Sequence, residues 1–228
     1  MAADSYGDLK IQKERCYGLV AGLPASSRPL VTKALKASER WHAGQVRGGT
    51  DFPYMTHVYH VVSVLVGEMK IRDPAVLAAG ALHDVVEDCG VTVAELAERF
   101  GKRVARIVES ESENTFGSRR EYMEHFRSAP KGPLLVKTAD RIDNLRFVEH
   151  EGITAFRVSR VAEEGKWPME KVARYVIEAE KYILPHSKRA SPEGFAELDR
   201  LVGRFKRDSS FAKTYGVLVA AGDTHFRD

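Results

Sequence analysis

The sequence predicts an all-α protein, and three observations support this fold class. Almost every strong pattern of apolar residues repeats every three to four positions, as one face of a helix requires. Helix-start signals recur along the chain, such as Asp73-Pro74, in which an N-cap aspartate precedes a proline at the first helical position. The one Val-rich run that resembles a strand by propensity also has helical spacing.

The composition excludes several classes of protein. The chain has 228 residues, of which 43% are apolar and 29% are charged, as in folded globular proteins. Its two cysteines, Cys16 and Cys89, are too few for a disulfide framework or a thiolate zinc site. The formal net charge is only +3, and basic residues are interspersed with acidic ones, so we predict no nucleic-acid partner.

Location follows from two further patterns. No apolar run reaches the roughly 20 residues that a membrane span needs. The first residues also lack the basic and apolar stretches of a signal peptide. A cytoplasmic protein without a membrane partner is therefore expected.

The predicted elements of the N-terminal half are set by prolines, glycines and apolar spacing. Ser27 begins a helix that continues through Trp41, and glycines at 44, 48 and 49 then predict a loop. The next helix begins near Val58, and its apolar positions 58, 61, 62, 65, 66 and 69 share one helical face. We give this spacing more weight than the β propensity of valine.

A helix that is apolar on nearly all sides is predicted over 75–86, and such a helix belongs at the centre of the fold. A capping box from Thr92 to Glu95 then starts a short helix that Gly101 ends. Further helices are predicted at about 103–109, 120–127, 134–149, 154–163 and 168–184, with a loop at 111–120, a break at 130–133 and an end at Pro185.

The domain prediction is one main domain, 27–185, with an N-terminal extension, 1–26, and a helical C-terminal extension, 186–228. In the last segment, Ser191-Pro192 is a helix start and 215–221 is an apolar stretch. The pattern gives no role for this extension.

The first residues that could carry chemistry are His83, Asp84, Glu87 and Asp88, at the end of the apolar helix. On a continuous helix, i, i+4 spacing places an imidazole and three carboxylates on one side. Burying such charges without compensation costs several kcal/mol, and a bound cation removes this cost. The alternative is an exposed polar helix end, which we favour less because the preceding helix is so apolar.

A second candidate is His57, where the loop meets the Val-rich helix. His60 and His42 have the same ligand chemistry, and spacing does not choose among the three. Taken alone, such a histidine is more often part of a helix start than a metal ligand.

The third candidate lies between Lys137 and Asn144. Asp140 and Asn144 share one helical face, and so do Lys137 and Arg141. A carboxylate and an amide flanked by two cations would suit a metal-bound phosphate. Taken alone, the same pattern also fits a helix with charge pairs on its exposed side.

Together these segments supply two histidines and two aspartates: His57, His83, Asp84 and Asp140. Nitrogen and oxygen ligands without sulfur suit Mn²⁺, Fe²⁺, Mg²⁺ or Zn²⁺. On an octahedral ion, four protein ligands leave about two positions for water and substrate, as in metal-activated hydrolases.

The sequence resembles the hydrolase domain of RelA/SpoT-type alarmone enzymes, within the HD phosphohydrolase superfamily. It is most similar to the stand-alone small alarmone hydrolases, a group that includes the metazoan SpoT homologue. The matching segments, in family order, are 41–47 (WHAGQVR), 53–57 (PYMTH), 83–88 (HDVVED) with Cys89 after it, 92–101 and 137–144 (KTADRIDN).

The resemblance implies a compact multi-helix HD-domain fold and assigns roles by position. It selects His57 as the first metal ligand, with Mn²⁺ as the usual metal. It also implies that Glu87 and Asp88 position or activate the attacking water. The implied reaction removes the 3′-pyrophosphate of (p)ppGpp to give GDP or GTP.

The substrate contacts implied by the resemblance involve Asn144 near the scissile phosphate and Arg47 at the nucleobase. Lys137 and Arg141 are positioned to offset charge that develops on the phosphates. At Gly48 the family commonly has a second cation, and the loop to His57 is about one residue longer than in many members. These departures leave (p)ppApp and the 2′-phosphate of NADPH as alternative substrates. A catalytically silent nucleotide sensor that signals through the C-terminal extension is a separate alternative, and the sequence leaves a homo-oligomer open.

Overall fold

Helices account for nearly all regular structure in the computed structural model, which describes residues 6–47, 50–151 and 168–220. Within those ranges the only β pairing is an isolated bridge between Val46 and Pro53, so the predicted all-α class is confirmed. The helix predicted over 154–163 lies outside the described residues. In chain order the helices are α1 (Leu9–Ala21), α2 (Arg28–Trp41), α3 (Met55–Ser63), α4 (Pro74–Leu82), α5 (Val85–Asp88), α6 (Val93–Phe100), α7 (Lys102–Glu111), α8 (Arg119–His125), α9 (Lys131–Glu151), α10 (Pro168–Glu178), α11 (Leu184–Ala190), α12 (Pro192–Arg207) and α13 (Ser209–Ala220).

Helix α4 lies at the centre, as its apolar sequence predicts. Its residues from Ala75 to Leu82 are all buried, and helices α2, α3, α7 and α9 pack around it. A Cβ atom added to Gly80 would lie only 2.5 Å from Cδ1 of Leu65. The missing side chain at Gly80 therefore allows the chain after α3 to approach α4 closely.

The Val-rich segment is helical, as its spacing predicts. Helix α3 continues into a π-helical turn, Val64–Glu68, and every residue of α3 is buried. It packs against α1, α4 and α9. Because His57 is in the first turn of α3, the packing of this helix carries an imidazole into the interior.

The prediction of one continuous helix over 75–86 is wrong. Helix α4 ends at Leu82, His83 and Asp84 form a turn, and α5 begins at Val85. Consecutive side chains of a regular helix point about 100° apart. Here Nε2 of His83 lies 2.8 Å from Oδ2 of Asp84, because the turn directs both side chains to the same point.

Two other predicted boundaries shift because of proline. Helix α9 begins two residues before Pro133, and Pro185 lies in the first turn of α11 instead of ending a helix. Proline is tolerated in the first turn of α9 because its missing N–H group has no partner there. Pro185 instead lies just after a π-helical turn, Ala179–Ile183, that joins α10 to α11. The cap at Thr92 is confirmed, since its hydroxyl accepts a hydrogen bond from the backbone N–H of Glu95 at 3.1 Å.

Both segments predicted as extensions contribute helices that pack against the rest of the fold. Helix α1 buries Cys16 and Val20 and packs against α3. Helices α11 and α12 pack against α9, while α13 contacts α10 and α12. Among the described residues, no helix is both long enough and apolar enough to cross a bilayer.

Candidate metal centre

Three buried or half-buried side chains from two parts of the chain meet between α3 and α4. His57 comes from the first turn of α3, and His83 and Asp84 come from the turn after α4. The Nε2 atoms of the two histidines are 3.0 Å apart. Oδ2 of Asp84 lies 2.8 Å from Nε2 of His83 and 3.4 Å from Nε2 of His57.

Asp140 adds a fourth ligand atom from α9. Its Oδ1 lies 3.5 Å from Nε2 of His57 and 3.9 Å from Nε2 of His83. Burial raises the pKa values of Asp84 and Asp140. The two imidazoles, and for Asp140 first of all Lys137, outweigh burial and hold both pKa values below their usual range. Both carboxylates are therefore ionised at neutral pH.

The hydrogen bonds of the two imidazoles fix where their lone pairs point. Nδ1 of His83 donates to the backbone carbonyl of Gly80 at 3.0 Å, and Nδ1 of His57 donates to Oδ2 of Asp143 at 2.6 Å. In a neutral imidazole the other nitrogen then carries a lone pair. Two nitrogen lone pairs thus face each other across 3.0 Å, together with two carboxylates, which requires a shared proton or a metal cation.

The spacing of these atoms fits a metal ion. Ligands bound at about 2.1 Å and at right angles to one another lie about 3 Å apart, and the distances above run from 2.8 to 3.9 Å. Burial lowers the pKa of His57, but Asp143 and Asp84 outweigh it and raise the value to about 9. In the metal-free chain a proton therefore competes for the position that a metal would occupy.

The structure brings His57 into this cluster and places the other two candidate histidines elsewhere. His60 lies on the far side of Asp143, with its Nδ1 2.9 Å from Oδ1 of that carboxylate. His42 pairs through Nδ1 with the side chain of Gln45 at 2.7 Å and stacks on the ring of Tyr54.

The two predicted acids after Asp84 lie on the short helix α5, within one turn of the ligands. Glu87 is half-buried and accepts a hydrogen bond from the backbone N–H of Glu113. Burial and the charge of Asp84 raise the pKa of Glu87 to about 7. The backbone carbonyl of Asp88 accepts a hydrogen bond from Gln45 at 3.2 Å.

Asn144 and Arg47 extend the cluster along one side of α9. The Asn144 amide donates to Oδ1 of Asp140 at 2.5 Å, as the predicted i, i+4 spacing requires. Its carbonyl oxygen accepts from Arg47 at 3.1 Å. The Arg47 guanidinium also pairs with Asp143 at 2.8 Å and lies over the ring of Phe147 at 3.8 Å.

The two predicted cations of α9 are placed differently. Nζ of Lys137 lies 3.1 Å from Oδ2 of Asp140, beside the cluster. Arg141 is fully buried on another side of the helix, where it pairs with Glu178 at 3.4 Å and lies 3.5 Å over the ring of Tyr175. The structure therefore groups Lys137 with the site residues and does not group Arg141 with them.

A family model described as an HD domain matches residues 34–166, which is more than half of the chain and includes all four clustered side chains. The chain belongs to the HD-domain family. The relationship to alarmone hydrolases that the motifs indicate is confirmed by individual relatives.

Relatives of this HD domain include two proteins named guanosine-3′,5′-bis(diphosphate) 3′-pyrophosphohydrolase MESH1. The Xenopus tropicalis protein is 33% identical over 153 residues, covering 65% of this chain and 86% of the relative. The mouse protein is 34% identical over 124 residues, covering 53% of this chain and 69% of the relative. A GTP pyrophosphokinase of Myxococcus xanthus is 31% identical over 154 residues, which cover 62% of this chain but only 20% of that longer protein.

A solved structure, described as a metazoan ortholog of SpoT that hydrolyses ppGpp, has the same fold. It superposes with a TM-score of 0.64 at 24% identity, covering 79% of this chain and 96% of that one. The predicted HD-domain fold is therefore confirmed.

Sequence reasoning missed two residues of this HD site, Asp143 and Tyr54. Asp143 lies three residues after Asp140, a spacing that keeps both carboxylates on one face of α9. Tyr54 donates a hydrogen bond to Oδ2 of Asp84 at 2.5 Å. No comparable sequence signal exists for Tyr54, because its partner lies 30 residues away.

Proposed function

We propose that this chain hydrolyses (p)ppGpp in a metal-dependent reaction that releases the 3′-pyrophosphate and leaves GDP or GTP. The observation that carries the proposal is the convergence of two imidazole nitrogens and two carboxylate oxygens whose lone pairs face one another. Similarity supports the substrate, since the chain covers 86% of a relative whose name states this activity. A nucleotide is thus the proposed small-molecule partner.

His57, His83, Asp84 and Asp140 would hold the metal, which we propose to be Mn²⁺. Imidazole and carboxylate ligands without sulfur suit this ion, although Fe²⁺, Mg²⁺ and Zn²⁺ accept similar donors. When bound, such an ion polarises a phosphate oxygen and makes water more acidic at neutral pH.

Glu87 is the proposed general base. A carboxylate with a pKa of about 7 is partly ionised at neutral pH and accepts a proton more readily than an ordinary glutamate. Asp88, the next residue of α5, would orient the attacking water. Water attacks the phosphorus bound to the ribose 3′ oxygen, that P–O bond breaks, and the 3′ oxygen takes up a proton as pyrophosphate leaves.

The remaining polar side chains are proposed to bind the nucleotide. Asn144 and Lys137 both contact Asp140, so they are near enough to the ligands to reach the scissile diphosphate. Arg47 is proposed to contact the nucleobase. For Arg141 a phosphate contact stays a prediction, and its pairing with Glu178 supports a role in holding α9 against α10.

The direct test is an assay of the purified protein with ppGpp and Mn²⁺, following pyrophosphate release with and without a chelator. We expect turnover that the chelator stops and that added Mn²⁺ restores. Tight binding of ppGpp without turnover in Mn²⁺, Fe²⁺, Mg²⁺ or Zn²⁺ would overturn the proposal and support a nucleotide sensor.

A second assay asks which nucleobase the substrate carries, because Gly48 stands where the family commonly has a cation near the substrate. ppGpp, ppApp and NADPH are compared side by side at equal concentration. Faster release of pyrophosphate from ppApp would assign an adenine alarmone. Release of inorganic phosphate from NADPH would assign a 2′-phosphatase.

A further inference from the structure

Asp143 is a buried carboxylate at the back of the metal centre, on the same face of α9 as Asp140. Only 1% of the residue is exposed, and both of its oxygens are in contact with side chains from other parts of the chain. Oδ2 lies 2.6 Å from Nδ1 of His57 and 2.8 Å from Nη2 of Arg47. Oδ1 lies 2.9 Å from Nδ1 of His60 and also accepts a hydrogen bond from Tyr6.

The pairing with Arg47 decides what Asp143 does to His57. A buried carboxylate without a cation would be stabilised by a protonated imidazole, and a protonated His57 has no lone pair for a metal. The Arg47 guanidinium shares the charge of Asp143, and Oδ2 of this carboxylate accepts the Nδ1 proton of His57 both in a protonated ring and in the neutral ring that a bound metal requires. The Nε2 lone pair then points toward His83 and Asp84.

We infer that Asp143 is a positioning residue of the metal centre, which holds His57 in the Nδ1–H tautomer and aims its Nε2 atom at the ion. A carboxylate behind a ligating histidine raises the basicity of the ligand and restrains its ring. The same oxygen binds Arg47, so Asp143 also joins a metal ligand to the side chain proposed to contact the nucleobase. The inference rests on the metal centre of the proposed function.

Tyr6 connects Asp143 to the N-terminal segment of the chain. Its hydroxyl also contacts the backbone carbonyl of Asp143 at 3.1 Å. Its ring lies 4.2 Å from that of His60 and 5.0 Å from that of His150. Tyr6 and His60 therefore touch the Oδ1 side of Asp143, away from His57, and they supply matched controls.

The test measures binding of Mn²⁺ alone by calorimetry to the metal-stripped full-length protein. We expect Asp143→Asn to weaken Mn²⁺ binding by about 10–100-fold, the usual effect of losing the partner of a ligating histidine. Asp143→Glu, which keeps the charge, should restore part of the affinity. Tyr6→Phe and His60→Gln should bind Mn²⁺ within about threefold of the wild type, because the Oδ2 contacts remain.

A second measurement needs no substitution and so does not depend on the variants folding. In nitrogen-15 NMR of the Zn²⁺-loaded wild type, the Nδ1 proton of His57 should be strongly downfield and slow to exchange with solvent. An Nδ1 proton that exchanges as quickly as that of an exposed histidine would refute the inference. Wild-type Mn²⁺ affinity in a folded Asp143→Asn protein would do the same.

Failure of the proposed function gives a different pattern. If the wild type binds Mn²⁺, loses affinity with Asp143→Asn and yet hydrolyses no nucleotide, the function is wrong and the role of Asp143 stands. If the wild type binds no divalent metal, both are wrong.

Discussion

Two neighbouring residues of α9, Asp140 and Arg141, belong to two clusters of buried charge that are built on opposite principles. Around Arg141, positive and negative groups alternate: Glu178 pairs with Arg141 at 3.4 Å and with Arg119 at 2.8 Å through two parallel hydrogen bonds. On the other side, Oδ1 of Asp140, the two Nε2 atoms and Oδ2 of Asp84 form a group of potential metal ligands, while Lys137 and Asn144 contact Asp140 from its edge.

The difference shows which buried polar cluster is complete and which needs a further component. A buried ion pair is compensated by its own partners, and removing one of them leaves an unpaired charge. A cluster of lone pairs is favourable only when a cation is shared among them. Substitutions at the Arg141 cluster should therefore affect stability, and substitutions at the Asp140 cluster should affect chemistry.

The largest expected effect follows from removing a ligand. Asp84→Ala should abolish pyrophosphate release from ppGpp in Mn²⁺, a loss greater than the about 10–100-fold caused by losing the partner of a ligand. Because Asp84 also accepts a hydrogen bond from Tyr54 and pairs with both imidazoles, the metal-free variant should melt at a lower temperature, and turnover is compared on protein that circular dichroism shows to be folded. Retained turnover would remove Asp84 from the mechanism and break the distinction between the clusters.

Substitution of Glu87 tests whether the metal centre also supplies the general base of the reaction. With a pKa of about 7, its carboxylate is protonated at low pH, so kcat/KM should rise with pH and level off above about 7. Glu87→Gln should lower kcat by about 10²–10⁴-fold and remove this inflection. A pH profile that is unchanged in the variant would assign the inflection to another group.

Glu178 tests the opposite cluster. Burial raises the pKa of this carboxyl, but Arg119 and Arg141 outweigh it and lower the value. Glu178→Ala should therefore reduce the free energy of unfolding by about 3–5 kcal/mol, because two arginines lose their buried partner. Urea denaturation measures this loss, and Mn²⁺ affinity of the remaining folded protein should match the wild type. Weakened metal binding at low urea would show that the two clusters are coupled.

Glu111 is expected to give the smallest effect, a change in stability with pH. Like the Arg141 cluster it is a buried ionisable group, and like the metal centre it lacks full compensation by its neighbours. Among the described residues, neither of its carboxylate oxygens accepts a hydrogen bond, and the nearest cation, Lys137, is 3.9 Å away. Burial raises its pKa to about 8, so the folded state prefers the protonated form. Stability from this group is thus present below about pH 4.5 and is lost as the pH rises through about 8.

The corresponding variant is Glu111→Gln, which cannot ionise. We expect its melting temperature to lie close to that of the wild type at pH 5 and to exceed it at pH 9, by about 2–4 °C for each kcal/mol that ionisation of Glu111 costs. Equal melting temperatures at both values would mean that Lys137 compensates the ionised carboxylate fully.

Local patterns in the sequence are enough to predict most elements of this fold. The period of α3, the helix cap at Thr92 and the apolar character of α4 depend on neighbouring residues, and the structure agrees with each. The turn at His83 and Asp84 is different, because its side chains contact His57 of α3 and Asp140 of α9. The apolar periodicity of the sequence contains no sign of these contacts, and it therefore predicts a helix that continues through the turn.

The site residues that lie in recognisable motifs can be predicted from the sequence. The histidine and aspartate segments and the pair Asp140 and Asn144 stand out from the sequence. The role of Asp143 depends on a contact with His57 across 86 residues, which no spacing rule contains. The burial of Arg141 likewise depends on α10, and local charge pairing alone places that side chain in solvent.

Gly80 connects helix packing to ligand geometry. Its bare α-carbon lets Leu65 lie against α4, and its carbonyl oxygen holds the ring of His83. One added methyl group at this position would press against the buried side chain of Leu65, close to the two imidazoles, whose Nε2 atoms are 3.0 Å apart. A side chain at Gly80 would therefore disturb the proposed metal centre through the His83 ring, although none of the four proposed ligands is changed.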